Sequence, residues 1–414
     1  MTIPTHSTPG AASDGDRTAG VDGHALPSYA REDLLAAVRA LAPRLRAAAQ
    51  EIEAGRSLTE PIVQAMADAG FYRMYLPRSL GGGELDPLTY FDVIEALAQV
   101  ESTAGWSVLI STGAMTITAR GLPDEPLRAM FTSPRNTIMA GSGPPKGRAQ
   151  AVPGGYRLTG SWTQGSNIRL AAWVLAGCHL YDGDRPRLGP DGAPVYLRCV
   201  LPASEVEIFD TWYTTGMRGT GSHDFAINDV FIPEARVHRG TEASRRPQPL
   251  YQFAGWTHVA HAALGLGIAR VAIDEFIALA GGKSATWHAG EGRLATRTTI
   301  QAKIAQAEAL VGAGRAYVRE ATRDIWETVS RRETPSPSQR AVYRLAVAEA
   351  YSNAVNAVDL MYTLAGATAI YARSRLDRCL RDVHTAGSHV WVAPDTYELA
   401  GRLLLGLDPA SPTI

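Results

Sequence analysis

Apolar residues recur at three- and four-residue steps near both ends of the chain and change to short β-prone runs between them. Leu34, Val38, Leu41 and Leu45 fall on one face of a helix. A second helical segment, 61–69, stops at Gly70. Leu88, Phe91, Ile94, Leu97 and Val100 mark another helix, and 106–118 is so uniformly apolar that it predicts a helix buried on most sides. The period changes at Pro134. Runs at 137–140, 156–162, 173–175, 195–201 and 225–232 alternate with Gly and Pro clusters, which predicts a small antiparallel barrel or sandwich. Helical spacing returns near Trp256, with segments 261–280, 296–329, 338–372 and 394–405. Short connections between them predict an antiparallel four-helix bundle. Gly265 and Gly267 lie where helices would approach closely.

These shifts divide the chain into a disordered tail (1–28), an N-terminal α-helical domain (29–134), a central β domain (135–240) and a C-terminal helical bundle (241–414). The class is α+β. The tail is rich in Thr, Ser, Gly, Ala and Pro and has neither a basic start nor an apolar core, so it does not read as a signal peptide. No apolar run approaches the ~18 residues of a membrane span. The formal net charge of −1 leaves no basic footprint for nucleic acid. Cys178, Cys199 and Cys379 have no metal-type spacing and are too few for a disulfide framework, so a cytoplasmic setting is expected.

Four segments carry a resemblance. Leu76-Pro77-(x)3-Gly81-Gly82, Gly155-Tyr156-(x)3-Gly160-x-Trp162, Val230-Phe231-Ile232-Pro233 and Arg378-(x)2-Arg381-Asp382 occur in the order found in acyl-CoA dehydrogenase-like flavoproteins. The resemblance spans roughly residues 31–406. It implies an N-terminal helical domain, a central β domain and a C-terminal four-helix bundle, with flavin between the last two and usually a homotetramer.

Dehydrogenation in that family needs a carboxylate base, and here both of its usual positions are vacant. One falls on Val390; the other falls in 254–257, which contains no acid. Valine cannot take a proton, so acyl-CoA dehydrogenation would require a relocated base. The chain resembles instead the two-component flavin-dependent monooxygenases that share the scaffold. The similarity lies in Pro145-x-Gly147-x-Ala149, in the stretch from Trp162 to Trp173 that contains Ser166, and in Arg381-Asp382-Val383-His384 followed by His389.

This resemblance implies a monooxygenase that takes reduced FMN or FAD and O2 and hydroxylates a small organic molecule through a C4a-hydroperoxyflavin. His389 would manage the peroxide proton and Ser166 would anchor the flavin. Trp162, Gln164 and Ser142 are expected beside the cofactor. Arg378 and Arg381 either bind its phosphate or pair with acids. Trp106, Ala114, Val390 and Trp391 are expected to wall the substrate pocket. Ala114 stands where phenol hydroxylases of this group often carry a histidine, which argues against a simple phenol. The chain has no Gly-x-Gly-x-x-Gly strand–helix turn, so a separate NAD(P)H-dependent flavin reductase is implied. The run from Arg218 to Asp224 resembles a site but is expected to form a tight strand entry, since no helix follows to offer a dipole.

Overall fold

The computed structural model describes residues 27–240, 243–282 and 293–408. The expected tail therefore lies almost wholly outside the described residues. The N-terminal part consists of α1 (Arg31–Gly55), α2 (Glu60–Asp68), α3 (Pro87–Val100), α4 (Ser102–Gly121) and α5 (Asp124–Met130). The apolar stripe of α1 is buried as Leu34, Val38, Ala42, Leu45 and Ile52. Asp86 caps α3, its carboxylate accepting from the backbone N–H groups of Leu88 and Thr89 at 2.9 and 3.0 Å. As its composition predicts, α4 is buried nearly throughout.

The middle of the chain forms β1 (Met139–Val152), β2 (Gly155–Gly165), β3 (Trp173–Asp182), β4 (Arg185–Pro186), β5 (Tyr196–Pro202), β6 (Glu207–Phe209), β7 (His223–Pro233) and β8 (Val237–Arg239). They make one sheet in the order β6-β7-β2-β1-β3-β5-β8, with β4 paired to β3. The expectation of a purely antiparallel β domain is corrected here, because β1 and β3 run parallel. Parallel neighbours need a crossover. The chain supplies it after the β1–β2 hairpin, in residues 166–172, which return to the start of β1. Ser166 lies on that crossover.

The C-terminal part holds α6 (Pro249–Gln252), α7 (Trp256–Gly282), α8 (Thr298–Ser330), α9 (Pro337–Ala365), α10 (Arg375–Gly387) and α11 (Asp395–Leu404). The segment 338–372, read as one helix, ends at Ala365. A separate α10 then carries Arg378, Arg381 and Asp382. The small residues of α7 serve close packing. A Cβ on Gly267 would lie 2.7 Å from the Glu95 carbonyl oxygen of α3, and one on Gly265 would lie 2.9 Å from the Tyr351 ring of α9.

Helices from both ends of the chain share one apolar core, while the sheet has its own. Asp382 joins all three regions: from α10 its buried carboxylate accepts from Ser102 Oγ of α4 and from the Met217 backbone N–H (2.6 Å). No described helix is long and apolar enough to cross a membrane.

Candidate active site

Where the helical core meets the sheet, side chains from six separated segments converge. The turn after β2 is pinned first. Asn167 Nδ2 donates to the Ser107 carbonyl of α4 (2.9 Å), and Asn167 N–H donates to the Thr220 carbonyl (3.0 Å). The left-handed backbone of Gln164 (φ 62°) and Asn167 (φ 64°) turns the chain sharply enough to allow both. Ser166 is thereby held against α4, where its Oγ accepts from Trp106 Nε1 at 3.0 Å. The same Oγ lies 2.6 Å from Ser222 Oγ, which lies 2.7 Å from Thr220 Oγ1. All three hydroxyl residues are buried.

Opposite this hydroxyl chain stand three imidazoles. The His389 ring lies 5.6 Å from Trp106 edge-on and 4.3 Å from the His261 ring of α7. His261 also meets Trp106 edge-on at 5.5 Å. One turn earlier on α7, His258 packs on Trp391 at 4.1 Å and accepts at Nδ1 from Arg344 Nη1 of α9 at 3.0 Å. Arg344 also sits 5.1 Å above the Trp391 ring and donates to Thr396 Oγ1 at 3.2 Å.

The hydrogen bonds fix the ring tautomers. A carbonyl only accepts, so His261 Nδ1, 3.1 Å from the Thr257 carbonyl, carries the proton and leaves Nε2 as an acceptor. That Nε2 is buried without a partner. His389 Nδ1 accepts from the Trp391 backbone N–H at 3.4 Å, so its Nε2 carries the proton. Two neighbouring rings thus offer one acceptor and one donor.

Burial, reinforced by the Arg344 cation, pushes His389 down to about 4, and burial holds His258 and His261 well below the ordinary histidine value. All three are neutral at pH 7. The charges acting most strongly on them are the Arg344 guanidinium and the other imidazoles.

The residues expected from sequence divide clearly. Trp106, Ser166, His389 and Trp391 converge here, and Ala114 is buried farther along α4. Trp162 does not reach the site. It is fully buried in the sheet interior, its Nε1 donating to the Gly177 carbonyl (2.9 Å) and its ring stacked on Phe225 at 5.3 Å. Gln164 is exposed, and Ser142 is half-buried in β1 opposite Ala176. Val390 is 63 % exposed, because the chain turns His389 and Trp391 inward on either side of it.

Arg378 and Arg381 are engaged by internal acids. Arg378 pairs with Glu101, Glu53 and Asp382, and Arg381 with Glu53 (2.6 Å) and Asp377 (2.8 Å). Both line a separate cavity of about 530 Å³ between α1, α4, α7 and α10. Sequence reading missed His258, His261, Thr220, Ser222 and Arg344. The two histidines stood in the sequence as polar interruptions of the mostly apolar first half of α7, which was the available signal.

The cluster therefore joins three neutral imidazoles, aromatic faces and buried hydroxyls, with the Arg344 cation behind His258 and Trp391. That fits a flavin ring, which is planar and offers both donors and acceptors.

The chain is similar to known proteins over most of its length. Residues 29–124 match the acyl-CoA dehydrogenase N-terminal domain model, and 259–394 match an acyl-CoA dehydrogenase C-terminal domain model. Indole-3-acetate monooxygenase of Pseudomonas putida is 30 % identical over 371 residues, covering 88 % of this chain and 92 % of its own length. The oxygenase subunit HsaA, a flavin-dependent monooxygenase of Mycobacterium tuberculosis, is 28 % identical over 394 residues, covering 91 % and 96 %. Among solved structures, XiaF from Streptomyces sp. in complex with FADH2 and glycerol superposes with a TM-score of 0.85 at 26 % identity. That match covers 93 % of this chain and 98 % of XiaF.

Proposed function

Taking as premise that the chain belongs to the acyl-CoA dehydrogenase family and within it is a flavin-dependent monooxygenase, we propose that the Trp106–Ser166–His389 cluster is its oxygenation site. Reduced FMN or FAD, when bound, activates O2 and delivers one oxygen atom to the substrate while the other leaves as water. Ser166 Oγ holds the cofactor ring. His389, neutral at pH 7, keeps a proton at Nε2 beside it. Trp106 and the faces of His261 and Trp391 exclude water from the reacting atoms.

One observation carries the reading: Val390 and residues 254–257, where the dehydrogenase base is expected, offer no acid, and among the described residues the groups acting most strongly on the three imidazoles are Arg344 and one another. The substrate is a small aromatic molecule that packs between the rings. A separate NAD(P)H-dependent reductase supplies the reduced flavin, as befits an oxygenase component. Assembly as a homotetramer in the cytoplasm completes the proposal; exposed Ile370, Tyr371, Leu404 and Leu405 offer apolar surface for subunit contacts.

The test supplies reduced FMN or reduced FAD from an added reductase, with indole-3-acetate or p-hydroxyphenylacetate as probe. These are the compounds for which two of the relatives are named. Hydroxylated product that depends on O2 supports the proposal. Anaerobic bleaching of bound oxidised flavin by an acyl-CoA rejects it.

A further inference from the structure

The hydroxyl chain behind Ser166 has a direction, and that direction can be assigned atom by atom. A hydroxyl has one hydrogen and two lone pairs. Thr220 Oγ1 lies 2.8 Å from the Met217 carbonyl, which can only accept, so the Thr220 hydrogen is committed there. Ser222 Oγ, 2.7 Å from Thr220 Oγ1, must then be the donor of that pair. With its own hydrogen spent, Ser222 can only accept from Ser166 across 2.6 Å. Ser166 in turn accepts from the Trp106 indole, a group that can only donate. The sequence of donors is Trp106, Ser166, Ser222, Thr220, ending at the Met217 carbonyl.

The far end is anchored. The Met217 N–H donates to buried Asp382 at 2.6 Å, and the Met217 carbonyl also receives Trp212 Nε1 at 3.1 Å. Bonds in such a chain polarise one another, and a carboxylate at the terminus favours hydrogens that point toward it.

Ser166 is left with a single unused lone pair and no hydrogen to give. Any ligand atom it meets must be a donor. The isoalloxazine ring changes in this respect on reduction: N5 is a bare acceptor in the oxidised ring and an N–H donor in the reduced one. We infer that Ser222 and Thr220 are positioning residues which fix Ser166 as an acceptor, so that the site selects reduced over oxidised flavin. The inference rests on the function proposed above and adds a residue-level reason for working with flavin delivered already reduced.

The test measures dissociation constants of oxidised and reduced FMN for the full-length protein, under anaerobic conditions for the latter. The variants are Thr220→Val, Ser222→Ala and Thr220→Ser. Removing either hydroxyl frees the Ser166 hydrogen, which can then serve oxidised N5. The ratio of oxidised to reduced dissociation constants should fall at least about tenfold in Thr220→Val and Ser222→Ala, and stay near wild type in Thr220→Ser. A tenfold fall lowers the bound-flavin midpoint potential by about 30 mV.

Should a single variant fold poorly, Ser166→Ala and Ser166→Ala/Thr220→Val provide a second measurement. The two should share one ratio, since the chain then has nothing to orient. A ratio unchanged in Thr220→Val, whether both forms weaken together or neither moves, overturns the inference, as does additivity in the double variant. Failure of the proposed function is distinguishable, because a wild type that binds neither flavin form rejects that reading, whereas equal affinity for both rejects only the relay.

Discussion

Two clusters flank α4, and they treat polarity in opposite ways. Around Arg378 and Arg381, cations and carboxylates pair with each other, so the arginines are engaged by acids of their own chain, although Arg378 Nε and Glu53 Oε2 have no hydrogen-bond partner. Around Trp106, the groups are neutral, and a His261 nitrogen and a Ser166 lone pair remain unused. Paired charge holds helices and domains together, whereas an unused acceptor beside aromatic faces suits a ligand that can donate.

The largest effect that could break this comparison lies in the charged cluster. Arg378→Ala leaves Glu101 and Asp382 buried without their cation and should cost roughly 3–5 kcal/mol of stability. Urea unfolding measures it. A variant that folds normally yet loses flavin would instead make Arg378 a cofactor ligand. His389→Ala belongs to the other cluster and should leave stability nearly intact while product yield falls about a hundredfold, with H2O2 appearing in its place. A peroxide assay beside product quantification decides the point; unchanged coupling would remove His389 from the chemistry.

Acidification should set the clusters against each other. The folded values of His258, His261 and His389 lie below the unfolded value near 6.5. The unfolded chain therefore takes up protons first, and their contribution to stability is complete above about pH 6.5 and lost as pH falls toward 4. Glu101 acts in the opposite sense, since burial raises it to about 7. Its raised value favours the fold at low pH and loses that contribution as pH rises through about 7. Melting temperature against pH should accordingly fall more steeply on acidification in Glu101→Gln than in wild type. Arg344→Met should let His389 titrate above about 4, visible in its imidazole NMR signals. Val390→Ala should have the smallest effect, within about 0.5 kcal/mol, because the side chain faces outward. A clear loss of coupling in that variant would return Val390 to the pocket wall.

Much of the architecture was readable because burial imposes periodicity. The stripe of α1, the uncharged run of α4 from Ser102 to Ala119 and the small residues of α7 each announced their packing. Topology was less legible. The β1–β3 pairing depends on where residues 166–172 return in space, and local alternation does not record that. Likewise, α10 was obscured because its polar residues face Glu53, Glu101 and Met217, partners far away in sequence. Resemblance singled out Ser166 and His389, which the fold brings to either side of Trp106, while His261, Ser222 and Thr220 came within view only once the fold brought α7 and the β7 entry together. Trp162, expected beside the cofactor on resemblance, is sent by strand alternation into the sheet interior.

The most direct test of the oxygenation site is a single turnover under isotope-labelled O2, with the protein loaded with reduced flavin and given an aromatic probe that it hydroxylates. The account predicts one labelled oxygen atom in the organic product and none acquired from solvent water. An unlabelled, desaturated product, formed with electrons passing to oxidised flavin in the absence of O2, would contradict it.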